Sequence, residues 1–259
     1  MSRTLGAHLG LVFVFLYAPI LMLMVLSFNS AGLPTVWTGV SLRWYARLLD
    51  SPDILKAASN SLTVAVTSAA IATLLGTLLA LGVERRRVSA AADALLFAPM
   101  IIPDVVLAIA LLSFFTLLKF TLGLHSIILA HVVFNIAFVC AVVRARLKNF
   151  DWSLLEVSAD LGANASTTFL KVTLPLIAPA VLAGALLAFT LSVDEFIIAY
   201  FTAGAGQAST TLPMKIYAMI RFGVTPEINA MATIVMFLSF CLVLVSQRLD
   251  RNALTGRKS

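Results

Sequence analysis

Three carboxylates stand where carboxylates are costly. Asp104, Asp194 and Glu195 each interrupt an otherwise uncharged apolar run. A charge at the centre of a membrane helix costs about 2.5–3.5 kcal/mol on insertion scales, so three of them facing lipid would cost up to about 10 kcal/mol, comparable with the whole stability of a typical domain. Such acids should face water, a partner chain or a substrate, and the chemistry they offer is electrostatic recognition of a cation. Tyr200 adds an aromatic face for a cation–π contact nearby in the chain. Two other placements stay open. Asp194 and Glu195 also fit a helix end in water, and Asp104 fits an ion pair with a basic group of another chain. Adjacent helical residues point about 100° apart, so only one of Asp194 and Glu195 can face a cavity squarely.

No covalent chemistry is encoded beside them. The phosphate-binding pattern G-x-x-x-x-G-K-[ST] does not occur, and Gly256, Arg257, Lys258 and Ser259 lack both the preceding glycine and a strand. His8, His125 and His131 fall at no metal-binding interval and form no nucleophile triad, so each is expected as a packed or interfacial side chain. Cys140 and Cys241, far apart in apolar surroundings, read as small apolar filler. The chain is therefore expected to be non-catalytic and without a metal site.

The elements that carry the acids follow from composition. Of the 259 residues, 61% are hydrophobic and 12% charged, with a mean hydropathy of +1.02. Water-facing domains have about twice that charged fraction. Disordered, disulfide-scaffold and ordinary soluble-enzyme classes are excluded, leaving an integral membrane protein. About 20 apolar residues cross the hydrocarbon as helix. Six runs of that kind are expected to span it: Leu9–Phe28, Ser61–Val83, Leu95–Leu118, Leu122–Val143, Leu176–Phe201 and Ile228–Ser246. The first is too long for a signal-peptide core and no clear cleavage site follows, so it is expected to remain as a helix. Counted along continuous helices, Asp104 lies about 15 Å into the third span and Asp194 about 27 Å up the fifth. Pro99 and Pro103 free carbonyls near Asp104 for a cavity or a cation.

Six spans put both termini on one side. That side holds 12 of the 18 lysines and arginines, the triplet Arg85, Arg86 and Arg87 among them, which makes it the cytoplasm. The net charge of +6 thus records topology, and no nucleic-acid face is expected. Trp37, Trp44 and Tyr45, in the long external connection, suit a short helix lying in the membrane interface. Asn60, Gln207 and Glu227 are external polar residues that could touch an external protein but are expected in solvent. Ala180, Gly184 and Ala188, at four-residue intervals on the fifth span, make a face for close helix packing, either within the chain or against a partner chain.

The cytoplasmic segment from Arg144 to Pro175 is too long for a turn. Trp152, Leu155, Ala159 and Leu161 predict a short helix, ended by Gly162, which takes a positive φ without penalty. Asn164 or Ser166 then caps a second helix running to Leu174 and Pro175, and Pro175 and Pro179 suit the first turn of the next span. The product is a projecting knob, either a docking element or an interfacial hairpin.

At this point the chain resembles a family. Membrane subunits of binding-protein-dependent ABC importers carry the EAA loop: Glu-Ala-Ala, three residues, Gly, nine residues, Ile, one residue, Leu-Pro. Here Glu156, Val157, Ser158, Gly162, Val172, Leu174 and Pro175 keep every interval, with the two alanines replaced by Val157 and Ser158. Further stretches, Thr211–Ile234, IPDVVLAIALL in the third run and FTLSVDEFIIAYF in the fifth, resemble the permease subunits of spermidine/putrescine importers, and the likeness covers essentially the whole chain. The resemblance implies an all-α type I ABC importer permease of the MetI-like fold, one transmembrane domain over 1–259 with its EAA loop at 144–175, in a bacterial inner membrane. It implies as partners a second related permease, two ATPase subunits carrying ATP and Mg, and an external binding protein. By position, Glu156, Ala159, Asp160 and Gly162 would couple to the ATPase, while Asp104, Asp194, Glu195 and Tyr200 would line a polyamine path. Relatives for aminobutyrate or ferric iron share the loop, so the substrate stays open. A stand-alone carrier or channel would use the same acids but leaves the loop without a purpose, and no half-to-half repeat is found.

Overall fold

Apolar side chains on nearly every face of a helix leave burial in lipid as the way to hide them, and the computed structural model is built from such helices. It describes residues 3–32, 36–86 and 88–255. Arg87, Arg257 and Lys258, counted above toward the basic side, lie outside the described residues. The order is α1 (Arg3–Leu26), α2 (Arg43–Leu49), α3 (Pro52–Arg85), α4 (Ala90–Ile101), α5 (Asp104–Leu117), α6 (Leu124–Leu147), α7 (Ser153–Asp160), α8 (Ala165–Thr168), a π-helical turn Phe169–Thr173, α9 (Leu174–Asp194), α10 (Ile197–Thr202), α11 (Leu212–Ile220) and α12 (Pro226–Thr255). Among the described residues the one extended pairing is an isolated bridge between Asn29 and Val40.

Four helical runs are long and apolar enough to cross a membrane: α1, α3, α6 and the continuous run Ala165–Asp194. The pair α4 and α5 makes a fifth if its two halves are one broken span. The described apolar part of α12 covers Pro226–Cys241. An all-helical membrane fold stands, and its count of spans is compatible with six.

Three of the expected helices differ in course. The third span is not continuous: α4 and α5 meet at 106°. Pro103 has no N–H to continue the ladder, and it pushes Ile102 before it into an extended conformation (φ −67°, ψ 135°). The fifth span also breaks, because Glu195 is extended (φ −69°, ψ 121°) between α9 and α10. The second cytoplasmic helix, expected to stop at Pro175, instead runs through the π turn into α9 as one helix. Widening the turn ahead of Pro175 accommodates the residue that cannot donate to it.

The chain divides into two compact units, 1–56 with 215–243 and 57–214 with 244–259. In the first, α1 is exposed along most of its length. Trp44 of α2, expected at the lipid interface, is buried instead, and its Nε1 donates to the Asn29 carbonyl at 2.7 Å. The Arg43 guanidinium lies 4.2 Å over the Trp44 ring, and Tyr45 and Ser27 hydroxyls meet at 2.6 Å. An indole N–H needs a partner once buried, and a loop carbonyl supplied one.

The second unit is organised around α6. Its core joins Ala69, Ala72 and Ala80 of α3, Val139, Cys140, Val143 and Leu147 of α6, and Ile177 and Ala188 of α9. Gly76 and Gly184 let α3 and α9 approach α6 closely: a β-carbon on Gly76 would stand 2.8 Å from Val139 Cβ, and one on Gly184 3.3 Å from Val139 Cγ1. The small-residue face of α9 therefore packs within this chain, against α6. A second cluster joins Leu107, Ala108, Leu111 and Phe115 of α5 to Ala130 and Phe134 of α6 and Ile198 of α10.

Candidate functional site

The knob is built by local capping. Asp151 Oδ1 accepts from the Ser153 amide at 3.0 Å and its hydroxyl at 2.7 Å, opening α7. After Leu161 the chain turns through Gly162 at φ +79°. The amides of Gly162 and Ala163 donate back to the carbonyls of Ala159 (2.8 Å) and Ser158 (3.0 Å). This paired closure satisfies the last carbonyls of the helix and needs the left-handed conformation that glycine adopts without penalty. Of the two candidate caps, Asn164 is the one that serves α8, accepting from Thr167 N–H at 2.8 Å. Buried Ser158 shares a hydrogen bond with Thr168 at 2.8 Å, which ties the two short helices together.

What this knob presents is an exposed surface. Glu156, Ala159, Asp160 and Gly162 are all exposed, and Leu161 at the tip is 82% exposed. Val157 is also exposed. A cavity of about 290 Å³ lies behind the knob, walled by Leu81 and Arg85 of α3, Trp152, Leu155 and Phe169. An acidic and apolar protrusion on a hydrogen-bonded base can be gripped and moved as a unit.

The acids occupy the two helix breaks. Asp104 is the first residue of α5 and Asp194 the last of α9, and both side chains are exposed. With the third span broken, the depth of about 15 Å counted along a straight helix no longer applies to Asp104. Leu107 and Ala108, within about a turn of Asp104, pack in the same cluster as Ile198, about a turn beyond Asp194. Carbonyls at such breaks lose their helical donors, and beside a carboxylate they extend its negative field. Tyr200 is 51% exposed on α10, its ring 5.4 Å from that of Phe196. Glu195 is engaged differently from its neighbour. Its two oxygens accept from the amides of Ile198 (2.8 Å) and Ala199 (2.9 Å), and Oε2 stands 3.6 Å from Nε2 of buried His131. The arrangement thus brings Asp104 and Asp194 to packed half-helices and turns Glu195 toward its own backbone.

Several polar groups escaped sequence reasoning. Asn135 of α6 donates to Ser192 Oγ at 2.8 Å, and Ser192 lies 3.0 Å from Ser68 Oγ, a buried line across α6, α9 and α3. Arg144 pairs with Glu84 at 3.1 Å and with Asp93, fastening the ends of α3, α4 and α6. Asn60, expected in solvent, is buried, and its amide donates to the carbonyls of Ala208 and Thr210 at 2.9 Å each. The available signal was weak: a polar residue inside or at the edge of an apolar run needs a partner, but its own run does not say which. Among the described residues no group of three or more His, Cys, Asp or Glu side chains could hold a metal ion.

Residues 72–253 match the family described as binding-protein-dependent transport system inner membrane component. The chain is 42% identical over 253 residues to the spermidine/putrescine transport system permease protein PotC of Escherichia coli, covering 97% of this chain and 95% of that one. It is 44% identical over 233 residues to the putrescine transport system permease protein PotI of Escherichia coli, covering 86% and 82%. Among solved structures it resembles a bacterial ABC transporter for import of the acidic polysaccharide alginate, with TM-score 0.75 and 16% identity over 96% of this chain and 95% of that one. The inward-facing MetNI methionine ABC transporter is similar at TM-score 0.58 and 17% identity, over 78% and 98%.

Proposed function

Because the chain belongs to the family of binding-protein-dependent transport inner membrane components, we propose that it is the permease subunit of an ATP-driven importer for polyamines. In this reading 1–259 is one multi-pass permease domain of the bacterial inner membrane, with both termini in the cytoplasm. It lines the translocation path together with a second, homologous permease. Two ATPase subunits, which carry ATP and Mg, grip the loop at 144–175 through Glu156, Ala159, Asp160 and Gly162. An external binding protein delivers the solute. The observation that carries the substrate is the near full-length likeness to two relatives named for putrescine or spermidine.

The geometry supports a mechanism for this reading. A polyamine is a flexible chain of ammonium groups, and the route offers carboxylates at two helix breaks, Asp104 and Asp194, with Tyr200 as an aromatic neighbour. Spaced single acids suit such a solute better than one tight cluster, since each ammonium can pass from one to the next without deep trapping. The inside-negative potential favours entry by about 2.3 kcal/mol per charge per 100 mV. ATP then supplies gating and accumulation beyond that gradient. Closure of the ATPase pair moves the knob, and the helix Ala165–Asp194, continuous from the knob base to the Asp194 break, carries the displacement to the route.

Two measurements test this. A tagged chain solubilised in detergent is expected to co-purify with its ATPase, whereas a lone chain that transports in liposomes refutes the importer reading. Asp104→Asn and Asp194→Asn are each expected to cut labelled spermidine uptake about tenfold, the effect of losing roughly 1.4 kcal/mol of charge attraction, at unchanged membrane content. Unaltered uptake in both refutes a carboxylate-lined route.

A further inference from the structure

Glu195 is spent on the protein's own backbone. The first amides of a helix have no acceptor within the helix, and in a bilayer no water replaces one. Glu195 Oε1 takes the Ile198 amide and Oε2 the Ala199 amide, so a single carboxylate closes the open start of α10. Its own backbone is extended, which is what separates α10 from α9.

Behind it stands His131, 1% exposed, with Nε2 at 3.6 Å from Glu195 Oε2. Neither ring nitrogen of His131 has a hydrogen-bond partner among the described residues. A cap alone needs no buried imidazole, and an imidazole in an apolar core is costly unless a polar group faces it. One turn along α6, Asn135 holds Ser192, which in turn meets Ser68 of α3. The break is therefore anchored on both sides of Asp194: by Ser192 before it and by Glu195 after it. Asp194 itself is exposed, and its carboxylate meets no hydrogen-bond or ion-pair partner among the described residues.

We infer that Glu195, backed by His131, is a positioning residue that holds the α9–α10 break and so sets Asp194 for the passing cation, without touching the solute itself. This rests on the reading of Asp194 as part of the route. If the anchor is lost, only a fraction of the molecules keep Asp194 in place, and the apparent affinity falls by that fraction.

The test is initial-rate uptake of labelled spermidine by cells carrying the complete importer, normalised to the membrane content of this subunit. Glu195→Ala is expected to raise KM about tenfold, the loss of population that an ordinary helix cap prevents, with the maximal rate kept within about twofold. Glu195→Gln, which keeps the length and one acceptor, is expected to be milder and serves if the alanine variant does not accumulate. The double variant Glu195→Gln with His131→Leu is expected to be no worse than the poorer of its two single variants, since both act through one anchor; independent structural roles would multiply their effects. An unchanged KM in Glu195→Ala and Glu195→Gln, while Asp194→Asn raises it, overturns the inference and leaves the route standing. Unchanged uptake by Asp194→Asn removes Asp194 from the route and overturns the inference with it.

Discussion

Replacing Gly162 separates backbone strain from bulk at the tip of the knob. The residue sits at φ +79°, and a β-carbon added there meets nothing within 4 Å. A substitution therefore meets no steric wall, and its whole cost is that of forcing an L side chain into the left-handed region. For alanine this is about 1 kcal/mol, or roughly a fivefold shift in population. Asparagine tolerates that region and costs less, although it is larger. Valine, stiff at its branched carbon, costs more, about 2 kcal/mol or above. None of these approaches the roughly 5–15 kcal/mol that keeps a typical domain folded, so the subunit should reach the membrane in normal amount. The strain falls on the end of the eight-residue α7, which is closed by the amides of Gly162 and Ala163. The proposed coupling surface then loses its fixed angle. The assay is ATP hydrolysed per spermidine imported by the purified complex in proteoliposomes. The ratio is expected to climb in the order Asn, Ala, Val. A valine variant with the parental ratio would refute the coupling role, and asparagine proving worse than alanine would show that size governs the site.

Two further outcomes follow from the packing. Gly76→Ala would place a β-carbon 2.8 Å from Val139 Cβ and 3.0 Å from the Ile136 carbonyl, so it should cost about 1–3 kcal/mol by overpacking. Gly184→Ala, whose β-carbon would stand 3.3 Å from Val139 Cγ1, asks for a smaller adjustment and should cost less, about 1 kcal/mol. Thermal melting in detergent ranks the two, and equal melting temperatures would contradict the close approach of α3 to α6. Arg144→Gln leaves Glu84 and Asp93 without their shared cation. With all three groups partly in water, the expected loss is about 1–2 kcal/mol, read as a lower melting temperature that high salt reduces only in the parent.

The sequence by itself determined what a lipid solvent demands residue by residue. Apolar runs of about 20 residues without the alternation of a barrel strand had to be helices, because a bilayer offers the backbone no partner outside the chain. Gly162 was legible because a helix end is a local event, decided by the few residues around it. The small-residue face of α9 and the cost of Asp104 and Asp194 in apolar runs were legible for the same reason. Tertiary structure decided which faces meet. Asn60 reads as an external polar residue until its partners appear 148 and 150 residues away at Ala208 and Thr210. Arg144 reads as a charge that stops a span until Glu84 and Asp93 converge on it. The fifth run reads as one helix until Glu195 finds the Ile198 and Ala199 amides and His131 arrives from α6. Hydropathy along a chain states that a polar group needs a partner. Only the packing of helices far apart in sequence chooses which group that partner is, because the choice depends on distances that no local pattern contains.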